Sequence, residues 1–358
     1  MTIQQTGARY DAVRMNEFAG QLFRAAGFED DKARVVAEIL VEADLMGHST
    51  HGLALAPAYL EAAAKGALTT RGDPEVVSDR GACITWNGRR LPGPWLTSRA
   101  IDLAIERVAT YGTVTVSIFE SHHIGALAAY LRRATERGFM LIIASSMPSL
   151  AGVAPFGGTR AVLTPNPLAA GIPTEGDPIL LDISASITTL NMTRQLARDG
   201  RSFPHPWGMD ANGNATDDPN VLIEQGGTLM PVGGLDHGHK GYSWAILVEA
   251  LSQGLSGFGR ADAPSGSSVA VFLQLIDPTA FGGQDGFKRQ MSWLAGACRD
   301  SPPRAGVDRV RVPGERAMAH KRTAQVHGLP LSPAIIDGLS SWAGKSGLQL
   351  PEPIVPAR

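Results

Sequence analysis

The sequence predicts an α/β protein whose helices dominate both ends of the chain and whose strands lie between them. Two observations support this prediction. Roughly the first 65 residues and about the last 60 place apolar side chains at helical spacing. Between them, short β-branched runs such as "GTVTVSIFE" (112–120) and "FMLIIASS" (139–146) alternate with amphipathic stretches, an order typical of α/β enzymes.

Length and composition favour two domains. At 358 residues the chain is longer than one typical core supports. The formal net charge is −2 without a long basic run, so we expect no nucleic-acid partner and no membrane partner. Cys83 and Cys298 lie far apart and suggest a reducing compartment. The N-terminal stretch carries charges and no long apolar run follows it, which favours a cytoplasmic location.

The first elements are two predicted helices, each with an apolar face. In the first helix this face is formed by Val13, Phe18, Leu22 and Phe23. In the second helix it is formed by Val35, Val36, Ile39 and Leu40.

Strands and helices then alternate. "GACITWNG" is a predicted strand, followed by a helix from Thr97 to about Thr110 and by the strand at 112–120. The stretch "HHIGALAAYLRRATERG" is predicted as an amphipathic helix that begins directly after this strand. Ser121 would be its N-cap and Gly138 would end it.

The middle of the chain is rich in Gly and Pro but also contains apolar residues. Such long segments are usually functional in a compact protein, so we expect ordered loops around a site. "SWAILVEALSQGLSG" (243–257) is then predicted as a buried apolar helix, and "SVAVFLQLID" as a strand.

Histidine clusters are the first candidates for chemistry, because histidine changes charge near neutral pH. In "ESHHIG", His122 and His123 stand at the predicted strand–helix junction, where the helix N-terminus favours a neutral imidazole. Either a proton-transfer role or simple packing is open for each. In "GHSTHG", His48 and His51 could share a helical face as metal ligands, but no further ligand follows at the expected spacing.

Common nucleotide-binding motifs are absent from the sequence. There is no G-x-G-x-x-G after a strand, no phosphate-binding G-x-x-x-x-G-K-[ST] and no G-x-S-x-G. Lys240, in "GHKGY" just before the predicted apolar helix, is a candidate phosphate or ribose contact; a solvated loop lysine is the alternative.

Taken in order, the motifs resemble the malate/L-sulfolactate/L-lactate dehydrogenase family of the second type. This family is unrelated to the Rossmann-type lactate and malate dehydrogenases. The resemblance runs collinearly from about residue 10 to 345. The segments that carry it are "EADLMGHSTHGLALAPAYL", "ESHHIGALAAYL", "VAPFGGTRAVLTPNPLAAGIP", "ILLDISAS", "GMDANGNATDDP", the residues 238–256, "IDPTAFGG" and "RVPGER".

The resemblance implies an α+β fold of non-Rossmann type. A largely antiparallel sheet would form an NAD(P)-binding and catalytic domain over residues 76–315. The chain ends, 1–75 with 316–358, would form a helical domain. It also implies a homodimer and an enzyme that moves a hydride reversibly between NAD or NADP and C2 of a 2-hydroxy acid or 2-oxo acid, or of a cyclic imine in one branch of the family. Of the two cofactors we favour NAD, although the sequence leaves the choice open. No metal is implied.

Site residues follow from the same resemblance. His123 matches the proton-transfer histidine, and His51 matches a second histidine to which some members assign that role; Tyr59 is the pocket tyrosine. Thr50, Leu55 and His122 are expected at the substrate. The cofactor would contact Ser146, Asn166, Asp182, Ile183, Ser184, Lys240, Gly241, Pro313, Gly314 and Glu315.

Leu55 stands where many members have an arginine suited to bind a substrate carboxylate. Because leucine offers no ionic contact, a bulkier or less polar substrate than malate or lactate is favoured. The alternatives are a cyclic-imine reductase of the same family, a catalytically silent binding protein, and a metal-dependent hydrolase that would use His48, His51, Asp236 and His239.

Overall fold

The computed structural model describes residues 8–354, so the ends of the predicted helical domain, 1–7 and 355–358, lie outside the described residues. Within this range the helices are α1 (Ala12–Ala25), α2 (Asp30–Leu45), α3 (Ala56–Ala64), α4 (Gly93–Tyr111), α5 (Ala128–Thr135), α6 (Leu190–Arg198), α7 (Pro219–Glu224), α8 (Gly234–Glu249), α9 (Gln284–Arg299), α10 (Glu315–His327) and α11 (Pro333–Ser346). The strands are β1 (Arg9–Tyr10), β2 (Glu75–Asp79), β3 (Cys83–Asn87), β4 (Thr113–Ser121), β5 (Met140–Ser146), β6 (Pro167–Ile172), β7 (Ile179–Ser184), β8 (Gly208–Met209), β9 (Ala215–Thr216), β10 (Thr228–Leu229), β11 (Val269–Ile276) and β12 (Leu329–Pro330).

A seven-stranded sheet in the order β2-β3-β4-β11-β5-β6-β7 forms the centre of the fold. Its neighbouring strands are antiparallel except β3 and β4, which run parallel. This largely antiparallel sheet confirms the fold class expected from the sequence. The apolar runs of β5 and β11 fit their central place, because strands covered on both faces lose the alternation of polar and apolar residues. β4, by contrast, alternates polar and apolar residues over 113–118.

Helix α2 lies between two hydrophobic cores. Val35 and Ile39 pack in the core of the large sheet. Val36 and Leu40 pack in a second core, built from α1, α3, α11 and the short β1–β12 pair. The sequence placed all four on one face. Neighbouring helical residues point about 100° apart, so each pair of neighbours is split between the two cores.

The second core contains apolar residues from both chain ends, as the predicted helical domain requires. The boundaries of the helical domain, between 75 and 76 and between 315 and 316, stay a prediction. Val13 was expected on the apolar face of α1, but its side chain is 66 % exposed.

A third, smaller core follows β7. It packs α6 against α8 and the three-stranded sheet β10-β8-β9. The prediction of a buried helix at 243–257 is wrong in two respects. Helix α8 begins earlier, at Gly234, and passes into a π-helical turn at Ala250–Gly254. Its Ile246 and Leu247 side chains are exposed in this single chain.

The helix expected directly after β4 also begins elsewhere. β4 ends at Ser121, residues 122–127 are irregular, and α5 starts only at Ala128. The Ser121 hydroxyl donates to the His122 carbonyl at 2.8 Å and is not an N-cap. Among residues 8–354, no helix combines the length and apolar character needed to cross a membrane.

Candidate active site

The segment 46–55 links α2 to α3 and carries the first histidine cluster. Gly47, at φ +85°, turns the chain after α2. Two short 3₁₀ helices follow, Ser49–His51 and Leu53–Leu55. The Thr50 hydroxyl lies 2.8 Å from Nδ1 of His51. The tight turns therefore place His51 at the end of the first 3₁₀ helix, with His48 at its N-cap.

His123 is held by two contacts to its ring nitrogen Nδ1 and by one to its backbone carbonyl. The Gly125 amide donates to Nδ1 at 3.1 Å, which makes Nδ1 an acceptor in this arrangement. The Tyr59 hydroxyl lies 2.8 Å from the same nitrogen and also donates to the His123 carbonyl at 3.0 Å. Gly125 adopts φ +71°, a conformation in which glycine is favoured. This turn aims its amide at the ring.

The aromatic rings of the two motifs form one cluster. His51 and His123 stack with centroids 6.0 Å apart. Tyr59 meets His122 edge-on at 5.0 Å. The structure therefore brings together four of the residues predicted from the two separate histidine motifs.

Burial keeps these histidines neutral. Desolvation lowers the pKa of His51 to about 3, helped by repulsion from His123 and His48. Desolvation also lowers the pKa of His122 and of His123 to about 4. The sequence predicted a neutral His123 from a helix N-terminus. The neutrality is present, but its cause is enclosure rather than a helix end.

Asp182, near the end of β7, connects the large sheet to this cluster. Its Oδ2 accepts the Ala128 amide at 2.8 Å, at the first turn of α5. Burial raises the pKa of Asp182, while His48 and the Ala128 amide oppose the rise. The carboxyl thus lies close enough to His48 for their charges to interact.

Two other predicted cofactor residues, Ser146 and Asn166, lie inside the protein. The Ser146 hydroxyl and the Asn166 amide both donate to Glu249 at 2.9 Å. Arg260 binds the same carboxylate at 2.9 Å and also donates to the Leu150 carbonyl at 2.7 Å. Because this network uses both side chains and both residues are buried, their direct contact with a cofactor stays a prediction.

The edge of the large sheet holds most of the remaining cofactor residues. Ile183 on β7 is 42 % exposed, and the Ser184 hydroxyl bonds to the Ser186 carbonyl at 2.8 Å. The Pro313 carbonyl accepts the Leu180 amide at 3.1 Å.

Gly314 follows at φ +94°, and a side chain there would collide with Leu180. Glu315 then opens α10 and pairs with Arg299. The loop 313–315 therefore lies against the same edge strand as Asp182.

Lys240 and Gly241 lie within α8 rather than in a loop before it. Lys240 is exposed, which leaves its amine accessible. Gly241 is buried, and an added Cβ would fall less than 3.0 Å from the Val232 and Ala185 backbone. Close packing therefore requires a glycine at position 241, whether or not Gly241 also binds the cofactor.

Leu55 ends the second 3₁₀ helix and is half-buried against the core of the terminal helices.

A metal site receives no geometric support within residues 8–354. No three His, Cys, Asp or Glu side chains form a group there that could hold an ion. The set His48, His51, Asp236 and His239 required by a hydrolase does not converge.

A malate/L-lactate dehydrogenase family model matches residues 10–340. The chain belongs to this family. It is 33 % identical to an L-lactate dehydrogenase from Cupriavidus necator, over 98 % of this chain and 99 % of that protein. The family resemblance seen in the motifs is confirmed, and with it an enzymatic family of hydroxy-acid dehydrogenases.

Solved structures agree with this family. A malate dehydrogenase from Entamoeba histolytica shares the fold, with a TM-score of 0.92 over 97 % of this chain and 100 % of that chain at 24 % identity. A delta1-piperideine-2-carboxylate reductase from Pseudomonas syringae matches with a TM-score of 0.79 at 26 % identity, over 94 % and 99 %.

Sequence reasoning missed several residues that contact the predicted site residues or the loops that carry them. Gly125 had no signal beyond being a glycine after the histidine pair. Glu249 and Arg260 are separated by 11 residues and meet only through the π-helical turn. Asp44 stood beside the first motif, but its contacts depend on a turn that periodicity does not describe.

Proposed function

We propose that this chain catalyses reversible hydride transfer between a nicotinamide cofactor and C2 of a 2-hydroxy acid whose side chain is bulky or weakly polar. The observation that supports this best is the arrangement at His123. A half-buried imidazole has its Nδ1 held by Gly125 and Tyr59, and we infer that its other nitrogen faces the substrate.

The reaction requires one proton for each hydride. In the reducing direction the hydride forms a C–H bond at C2, the C=O π pair moves to oxygen, and His123 gives that oxygen a proton. When bound, NAD(H) or NADP(H) supplies or accepts the hydride. Proton transfer from a positioned imidazole at this oxygen removes the charge that develops there.

Tyr59 makes both protonation states of His123 possible. While Nδ1 is bare, it accepts from Gly125. When Nδ1 carries a proton, it can donate to the Tyr59 oxygen, because the Tyr59 proton points to the His123 carbonyl at 3.0 Å. Tyr59 thus accepts a hydrogen bond from His123 when Nδ1 is protonated. In that state the other ring nitrogen can give a proton to the substrate or take one from it.

His51 stacks on the His123 ring and is proposed to bind the substrate, together with Thr50 and with His122, which packs against Tyr59. Its Nδ1 is occupied by the Thr50 hydroxyl. Leu55 offers an apolar contact where many members would present a guanidinium. Preference for an apolar 2-oxo acid follows, because the site retains no arginine at this place for a second carboxylate.

The exposed edge of β7 fits the cofactor. Ile183 presents an apolar surface that a planar ring can cover, and Gly314, which has no Cβ, places no side-chain atoms against that edge. Asp182, Ser184, Lys240 and the loop 313–315 would provide polar contacts. Ser146 and Asn166 would support the cofactor site through their hydrogen bonds to Glu249. We favour NAD over NADP.

Helix α8 supports a homodimer. Leu247 is 53 % exposed, and Ile246 and Leu255 nearby are also exposed. Exposed large apolar side chains so close together in the chain favour an interaction surface. We propose that a second copy of the chain covers these side chains. We also propose that the protein works in the cytoplasm on a small-molecule substrate and that its reaction needs no metal.

A cyclic-imine substrate is the second candidate, favoured by the similarity to the piperideine carboxylate reductase. The deciding experiment measures NADH and NADPH oxidation with a panel of 2-oxo acids and of cyclic imines. Phenylpyruvate should be reduced with a higher kcat/KM than oxaloacetate or pyruvate. Turnover of an imine alone would transfer the assignment to the second candidate, and no turnover on either panel would contradict both.

A further inference from the structure

Asp44 lies beneath the peptide that joins His51 to Leu53. It is the penultimate residue of α2 and its side chain is buried, at 3 % exposure. Oδ2 accepts the Leu53 amide at 2.7 Å. Oδ1 is also buried and has no hydrogen-bond partner within residues 8–354. A buried carboxyl with one partner is costly, and groups of this kind call for an explanation.

Gly52 approaches the same carboxyl from the loop side. A Cβ added to Gly52 would lie less than 3.0 Å from Cγ, Oδ1 and Oδ2 of Asp44 alike. The three short distances place the glycine over the face of the carboxyl group. Glycine therefore permits contact between the His51 loop and Asp44 that any other residue would prevent.

The carboxyl is suited to this place in its neutral form. Burial raises the pKa of Asp44 to about 8, and only the Leu53 amide opposes the rise. No charged neighbour contributes to this shift. Glu42, on the same helix, is instead paired with Lys321 of α10 at 2.5 Å. An asparagine has nearly the same shape and no charge, so it is a close substitute for the neutral acid.

We propose that Asp44 is a positioning residue that holds His51 in the site by fixing the Gly52–Leu53 peptide. This inference rests on the proposed function only through the role of His51 in substrate binding. The contacts run in sequence: α2 carries the carboxyl, the carboxyl holds the Leu53 amide, and the peptide holds the adjacent histidine. No contact between Asp44 and the substrate is part of the proposal.

The kinetic test compares two substitutions. Asp44→Ala leaves the Leu53 amide without its acceptor and opens space under Gly52. We expect kcat/KM to fall about tenfold to a hundredfold, mainly through KM for the 2-oxo acid, with NADH affinity unchanged. Asp44→Asn keeps an oxygen for Leu53 and should recover most of this loss.

A double variant tests whether Asp44 acts through His51. If it does, adding Asp44→Ala to His51→Asn should cost little beyond His51→Asn alone, because the histidine that it positions is already gone. If the loss of kcat/KM in the double variant equals the product of the two single losses, the proposal is overturned. Asp44→Asn behaving like Asp44→Ala would also overturn it.

Asp277 provides the matched control. It is buried, and its Oδ1 accepts the Thr279 amide at 2.8 Å, but it follows the end of β11 that pairs with Thr113 and Met140, away from the histidines. Asp277→Ala should leave KM for the 2-oxo acid unchanged. The same rise in KM in this control would show that any lost buried carboxyl suffices, and the proposal would fail.

Hydrogen exchange gives a readout that does not depend on turnover. Peptides covering 46–56 should exchange faster in Asp44→Ala than in the wild-type protein and near the wild-type rate in Asp44→Asn. Equal rates in all three proteins would overturn the positioning role even if the enzyme is active. A protein without activity on any 2-oxo acid contradicts the proposed function, while this exchange experiment still decides the case of Asp44. If Asp44→Ala does not fold, Gly52→Ala replaces it, with the same expected rise in KM and faster exchange.

Discussion

The depressed pKa of His123 predicts which direction of the reaction depends on pH. Burial lowers this pKa to about 4. At pH 7 only about one imidazole in a thousand would then carry the second proton, equivalent to about 4 kcal/mol of protonation cost. For reduction, which uses the protonated form, kcat/KM should fall about tenfold per pH unit from pH 5 to 8. For oxidation, which uses the neutral form, kcat/KM should stay level over the same range.

The two profiles must agree with thermodynamics. Reduction consumes one proton, so the ratio of the two kcat/KM values changes tenfold per pH unit whatever the catalyst. An acid with the ordinary histidine pKa of about 6.5 would divide this dependence between the directions, with a break near that pH. Because the pKa of His123 is depressed, the whole pH dependence above pH 5 should appear in kcat/KM for reduction.

The assay follows NADH at 340 nm in both directions with wild type, His123→Asn and His51→Asn. His123→Asn should lower kcat for reduction by about 10²–10⁴-fold, remove the slope and leave NADH affinity nearly unchanged. His51→Asn should mainly raise KM and keep the slope. The reasoning is refuted if the slope survives in His123→Asn and disappears in His51→Asn, since the acid would then be His51.

Three further outcomes are expected. Tyr59→Phe removes the partner of Nδ1 and of the His123 carbonyl, and kcat should fall about tenfold, as for one or two lost hydrogen bonds; an unchanged kcat would exclude the assisting role, and circular dichroism checks the fold. Lys240→Ala should weaken NADH binding by about ten- to a hundredfold in a fluorescence titration, because a charge-assisted contact is lost; equal affinity would remove Lys240 from the site. Leu55→Arg should raise the ratio of kcat/KM for oxaloacetate to that for phenylpyruvate, since a guanidinium receives a second carboxylate and takes up space; a constant ratio would mean that residue 55 does not face the substrate.

The sequence predicted the class of fold and the residues of the cluster better than their local geometry. The runs that became β4 and β5 are strong signals, because β4 alternates polar and apolar residues over 113–118 and β5 is apolar over 140–144. Helix α2 was correctly expected, but periodicity could not reveal that it serves two cores. That division depends on what packs against it.

Local geometry failed where glycines interrupt a helical pattern. The apolar residues after His123 suggested that a helix begins at once, whereas α5 begins at Ala128. The turn at Gly125 and the carboxyl of Asp182 bring residues far apart in sequence into contact. Hydrophobic periodicity and local motifs contain no information on such long-range contacts.

The pairing of Arg9 with Pro330 and of Tyr10 with Leu329 has a consequence for biosynthesis. Helices α1 and α2 leave the ribosome early, but α11, which covers part of their core, is made last. At translation rates of about 5–20 residues per second, this apolar surface waits roughly 15–60 s for its cover. The nascent N-terminal segment is therefore a natural client for chaperones. A premature stop before residue 330 would leave that surface permanently open to aggregation.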